Sequence, residues 1–171
     1  DDHYDLVATI ENAGFSFEQV EYVDIDDRPG KEIVVGCRVS EQVLRNLTVY
    51  TFTGDEPQQL MSANYSRFLA CDLNSDGSSE LMVLKPGETE ADNGVAVHYQ
   101  YRNGEMERSR EINLSESVEN VKRIIPSTLQ SGENAVYVAG AVNENAIITD
   151  VFAIKNGEFT NISFSNESET S

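Results

Sequence analysis

Three stretches of this chain repeat one pattern at nearly equal intervals: an alternating run of β-branched and aromatic residues that ends in a tight turn. The runs are Leu47-Thr48-Val49-Tyr50-Thr51-Phe52-Thr53, Val95-Ala96-Val97-His98-Tyr99-Gln100-Tyr101 and Thr149-Asp150-Val151-Phe152-Ala153-Ile154-Lys155. Their turn glycines, Gly54, Gly104 and Gly157, lie 50 and 53 residues apart. Alternation with period two marks a strand with one buried face. Asn-Gly, found at 103–104 and 156–157, tolerates the positive φ that tight hairpin turns require. Recurrence at this interval is the mark of stacked supersecondary units, each unable to bury its apolar face alone.

Each unit reads as four strands. They are expected at 19–25, 32–39, 46–53 and 57–63; at 67–73, 80–85, 94–102 and 105–112; and at 119–126, 134–142, 147–155 and 158–164. Four antiparallel strands in about 40–55 residues, repeated, is the pattern of a propeller blade. The fold expected is therefore all-β, with four-stranded antiparallel blades at 15–66, 67–114 and 115–165. Residues 1–14 are read as the outer strand of a preceding blade and its linker, because Tyr4–Ile10 precedes the first unit much as Met106–Ile112 precedes the third. An amphipathic helix through Tyr4, Leu6, Val7 and Ile10 is the competing reading. The polar tail 166–171 is expected to fray. Propellers close with about four to eight blades, so three blades make an open fragment whose remaining blades lie outside this chain.

Charge narrows the function. Thirty acidic residues face 12 basic ones, for a net charge of −18. Binding a polyanion relies on clustered Lys and Arg, so nucleic acid is disfavoured, and the general acidity reads first as a solvated, self-repelling surface. No apolar run reaches the length of a membrane span, so membrane insertion by this segment is not expected. Cys37 and Cys71 lack metal-type spacing. Each sits beside an apolar run and is expected to be a buried thiol, with a disulfide as the minority reading.

One loop departs from that general acidity. Asp72-Leu73-Asn74-Ser75-Asp76-Gly77-Ser78-Ser79-Glu80 sits between Phe68-Leu69-Ala70-Cys71 and Leu81-Met82-Val83-Leu84. Oxygen-bearing side chains at positions 1, 3 and 5, Gly at 6 and Glu at 9 can wrap a hard cation such as Ca²⁺. An EF-hand is rejected, since it needs a Glu at its twelfth position and flanking helices; that position is Val83 and the flanks are β-type. A related loop, Asp24-Ile25-Asp26-Asp27-Arg28-Pro29-Gly30-Lys31-Glu32, begins 48 residues earlier. Its fifth position is Arg28. Either the guanidinium stands in for a metal by bridging Asp24, Asp26 and Glu32, or the loop is a solvated turn with Arg28 pointing outward. The third unit has Ile125-Pro126-Ser127-Thr128-Leu129-Gln130-Ser131-Gly132 in that place and no acidic set.

Asp-x-Asn-x-Asp-Gly-x-x-Glu followed by an apolar strand resembles the FG-GAP or VCBS repeat, over about residues 19–164. The resemblance implies a β-propeller in which the acidic loop joins the first two strands of a blade and holds Ca²⁺. It implies side-chain oxygens from Asp72, Asn74, Asp76 and Glu80, and the backbone carbonyl of Ser78. The wider sequence, including Asp27-Arg28-Pro29-Gly30 and Ile148-Thr149-Asp150-Val151-Phe152, is also similar to propeller-type lipoproteins of gut clostridia. That implies an extracellular or cell-surface location, with a lipid anchor in the full-length protein.

Catalytic motifs are missing from the sequence: there is no GxSxG, HExxH or phosphate-cradling glycine loop. His98 lies within a strand, where a lone His is more often packed or exposed than catalytic. No catalytic residue is assigned. The function expected is a noncatalytic extracytoplasmic binding or scaffolding module with a glycan or protein ligand. The alternative is a substrate-positioning domain of a larger envelope enzyme.

Overall fold

The computed structural model describes residues 16–26, 28–39, 45–89 and 91–163. Those residues are all-β, with three four-stranded antiparallel sheets and one 3₁₀ turn, Val118–Asn120. The first sheet is β1 (Ser16–Val23), β2 (Glu32–Arg38), β3 (Arg45–Thr53) and β4 (Glu56–Asn64). The second is β5 (Arg67–Cys71), β6 (Glu80–Lys85), β7 (Val95–Arg102) and β8 (Glu105–Asn113). The third is β9 (Val121–Thr128), β10 (Asn134–Asn143), β11 (Ala146–Lys155) and β12 (Glu158–Asn161). Strands pair in chain order within every sheet. The expected outer strand over 1–14 and the tail 166–171 lie outside the described residues. Among the described residues no helix is long and apolar enough to cross a membrane.

Local chemistry accounts for the hairpins. Asn103 and Gly104 have φ of 54° and 88°, and Asn156 and Gly157 have 52° and 77°. Two successive positive φ values make a turn whose twist matches the strands it joins. The β1 strand starts and ends earlier than the expected 19–25. Its ladder stops at the Val23–Glu32 pair, because the N–H groups of Ile25 and Asp26 donate to the Glu32 side chain instead.

The chain divides into two compact units, 1–65 and 66–171. In the first, Val34, Leu47 and Val49 are fully buried. Within that unit Cys37 is a buried thiol in β2, its pKa raised by burial and by the Glu18 charge. In the second unit a continuous core joins both sheets. Met82, Leu84 and Ala96 of the second sheet and Val136, Val138, Phe152 and Phe159 of the third belong to it. Phe159 lies between two rings, with centroids 4.9 Å from His98 and 5.2 Å from Phe152. Cys71 is a thiol too, but half-buried, less enclosed than its apolar neighbours implied.

Gly94 fixes the approach of the link between the two sheets. A Cβ there would meet Leu114 Cδ1 and Val118 Cβ at 2.9 Å. The same link is tied down by Asp150, whose carboxylate accepts Ser115 N (2.8 Å), Ser115 Oγ (2.6 Å) and Asn161 Nδ2 (2.9 Å).

Candidate functional site

The acidic loop runs from Asp72 to Ser79, between β5 and β6. Its side chains are oriented by its own backbone. Asp72 Oδ1 accepts Asp76 N at 3.1 Å and Oδ2 accepts Gly77 N at 2.9 Å. Asn74 Oδ1 also accepts Asp76 N, at 3.0 Å, and Asp76 Oδ1 accepts Ser78 N at 2.8 Å. Asn74 Nδ2 donates to Asp76 Oδ2 at 3.1 Å. Ser75 and Gly77 reverse the chain with φ of 65° and 93°. Asp72, Asn74, Asp76 and Ser78 are therefore gathered around one turn.

Glu80 meets the same loop through its backbone. Its carboxylate is buried at the start of β6 and caps the loop backbone, accepting Leu73 N at 2.7 Å and Asn74 N at 3.1 Å. Burial pushes its pKa up to about 7, the charges of Asp76 and Asp72 add to the rise, and the two N–H donors oppose it. His98 Nε2 lies 3.9 Å from Glu80 Oε1 and has no hydrogen-bond partner. Burial lowers the His98 pKa to about 4, so the ring is neutral at pH 7.

The donor chemistry fits a hard cation. Two aspartates, an amide oxygen and a backbone carbonyl are all-oxygen ligands of the kind Ca²⁺ takes. Each side-chain oxygen that accepts an N–H keeps further acceptor capacity. Among the described residues no three His, Cys, Asp or Glu side chains form a ready-made metal cluster; the loop set without Glu80 has only two such residues.

The loop is also held from the third sheet, a contact that sequence reasoning missed. Asn134, the first residue of β10, donates through Nδ2 to the Asp72 carbonyl at 2.6 Å and to Ser75 Oγ at 3.2 Å. Those partners are 62 and 59 residues away in sequence, so nothing local announces them. In the third sheet the corresponding connection is a short turn. Leu129 N bonds Glu133 O at 2.8 Å and Gly132 N bonds Leu129 O at 2.9 Å, leaving no room for an acidic loop.

The first loop follows the same plan with a different centre. Glu32 caps Ile25 N at 2.6 Å and Asp26 N at 3.2 Å, as Glu80 caps its loop. Arg28 folds onto Asp26: Nε and Nη2 are 2.8 and 2.7 Å from Asp26 Oδ2, and Arg28 N donates to Oδ1 at 2.9 Å. Thr51 Oγ1 completes the cluster, 3.3 Å from Asp26 and 3.4 Å from Glu32. Of the bridge to Asp24, Asp26 and Glu32 expected for Arg28, the pair with Asp26 is the part observed, with the Arg28 side chain still 46% exposed. A nearly inaccessible Asp26 carboxylate takes its compensating charge from the chain itself.

No known protein-family model matches the chain, and no curated protein matches it.

Proposed function

We propose that this chain is a noncatalytic binding or scaffolding segment working outside the cytoplasm at a bacterial surface, built as blades of a larger β-propeller and rigidified by Ca²⁺. The observation that carries this reading is the Asp72 loop, whose Asp72, Asn74 and Asp76 side chains are gathered on one turn by the loop's own N–H groups, braced by Glu80 from β6 and by Asn134 from β10. Asp72, Asn74, Asp76 and the Ser78 carbonyl hold the ion. The ion supplies charge compensation for carboxylates that otherwise repel one another. Because the loop is bonded to two sheets, that compensation stabilises their junction as well as the loop. A rigid junction suits a segment that presents loops to a ligand.

Thermal unfolding in EDTA and in millimolar Ca²⁺ tests the reading. The midpoint is expected to rise with Ca²⁺, by mass action amounting to about 2.7 kcal/mol at a hundredfold excess over Kd. Asp76→Ala is expected to abolish the rise. An unchanged wild-type midpoint, or an equal rise in Asp76→Ala, removes it.

A further inference from the structure

Arg102, Arg108 and Arg110 line one groove of about 240 Å³, between the β7–β8 hairpin and the β11–β12 turn. The chain has 12 Lys and Arg against 30 Asp and Glu, and three of those basic residues line this groove together with Glu107 and Glu158. Their existing pairs are loose or exposed. Arg102 Nε is 3.8 Å from Glu107 Oε2, with both side chains more than half exposed, and Arg108 pairs with Glu111. Arg110 Nη1 donates to the Phe159 carbonyl at 3.1 Å and lies 3.5 Å from Glu158. Exposed ion pairs of this kind are worth about 0–1 kcal/mol, so a ligand carboxylate replaces them at little cost.

The groove is built on a firm base. Between the His98–Arg110 and Tyr99–Arg108 pairs, Ser109 is an extra residue in β8, and such a bulge bends the strand and re-aims its side chains. The bulge is pinned from the core side. Ser109 Oγ is bonded to His98 Nδ1, and the His98 ring is stacked on Phe159. Rigid support beneath exposed side chains lowers the ordering cost of binding.

The lining also selects against most anions. Glu107, Glu158 and Gln100 share the groove with the arginines. A polyanion or a phosphate dianion brings added negative charge against the two carboxylates. A ligand with one carboxylate and several hydroxyls satisfies both sets: the carboxylate meets a guanidinium fork, and the hydroxyls donate to Glu107 and Glu158. The volume lies below the roughly 300–1,000 Å³ of pockets for drug-sized molecules, which suits a single sugar ring. We propose that this groove binds a uronic acid residue of an acidic glycan. The proposal takes the chain to be a binding module and is independent of the calcium loop.

Calorimetric titration with D-galacturonate and D-glucuronate, at low salt, tests it against D-galactose, D-glucose and inorganic phosphate. One of the uronates is expected to bind about tenfold or more tighter than its neutral parent sugar, the scale of one charge-assisted contact. Arg102→Gln and Arg108→Gln are expected to remove that preference while leaving the melting midpoint in place, since both side chains are largely exposed. On the wild-type protein, uronate is expected to shift the backbone amide signals of Ser109 and Gly157. Equal affinity for neutral sugars, tighter binding of phosphate, unchanged affinity in both variants, or signal shifts confined elsewhere overturns the proposal. Calcium stabilisation without uronate binding sinks this proposal alone, and uronate binding without calcium stabilisation sinks only the loop reading.

Discussion

Replacing Glu80 with Gln isolates the consequence of burying a carboxyl beneath the acidic loop. Glu80 is 5% exposed. Burial, joined by the charges of Asp76 and Asp72, raises its pKa from 4.5 to about 7. A folded-state pKa above the unfolded one means that the protonated carboxyl favours folding. Its contribution is complete below pH 4.5 and is lost as pH rises through about 7. At about 1.4 kcal/mol per pH unit the loss across that window is about 3 kcal/mol. Gln carries no charge at any pH. The unfolding free energy of Glu80→Gln minus that of wild type is therefore expected to rise by about 3 kcal/mol between pH 4.5 and 7.5 in EDTA. The variant presents an amide N–H₂ where a carboxylate oxygen accepted Leu73 N or Asn74 N, which adds an offset but no such slope. His98 titrates in the opposite sense. With its pKa lowered to about 4, its contribution is complete above pH 6.5 and is lost as pH falls toward 4. Urea denaturation followed by circular dichroism at half-unit pH steps supplies the curve. A flat difference refutes the argument, and a falling one shows that the fold prefers ionised Glu80.

Other substitutions probe the remaining contacts. Asn134→Ala removes two hydrogen bonds to the loop and is expected to cost about 1–2 kcal/mol; an unchanged urea midpoint would show that the third sheet does not brace the loop. Gly94→Ala forces a methyl against Leu114 and Val118 and is expected to destabilise by about 1–3 kcal/mol, read as a lower thermal midpoint. Arg28→Ala leaves the buried Asp26 carboxylate without its guanidinium and is expected to cost about 2–3 kcal/mol, in the range of charged hydrogen bonds. If that loss is fully present in 1 M salt, screening is not controlling the pair; if it vanishes there, the pair behaves as an exposed one.

The strands were legible because their signals are local. Period-two alternation, Asn-Gly turns and the spacing of Gly54, Gly104 and Gly157 act within a few residues of one another. The acidic loop was legible for the same reason: its oxygens and its Gly77 are neighbours in sequence, and the Asx-type bonds that orient them span two to five residues. The end of β1 was less so, because Glu32 draws two backbone N–H groups out of the strand ladder from six and seven residues away.

Side-chain direction was beyond local reading. Arg28 could point in or out until Asp26 was seen to be buried beside Thr51, 25 residues away. Glu80 has the residue type and spacing of a ligand, yet its carboxylate closes the loop backbone from below. Both outcomes turn on how deeply a carboxylate sits, and burial is a property of packing. His98 in a strand had no distinguishing neighbour; stacked on Phe159 and bonded to Ser109, it anchors a bulge.

Sequence alone therefore determined the elements of this protein, an all-β chain of hairpins in three four-stranded sets with one oxygen-rich loop, since propensity and turn chemistry operate over short distances. Tertiary structure alone decided what surrounds them. It brought Asn134 to the loop and set the β11–β12 turn beside the arginines of β7 and β8. Those contacts follow from the shared core of the second and third sheets, where burying apolar surface is non-directional and leaves the fit of particular side chains to select their partners.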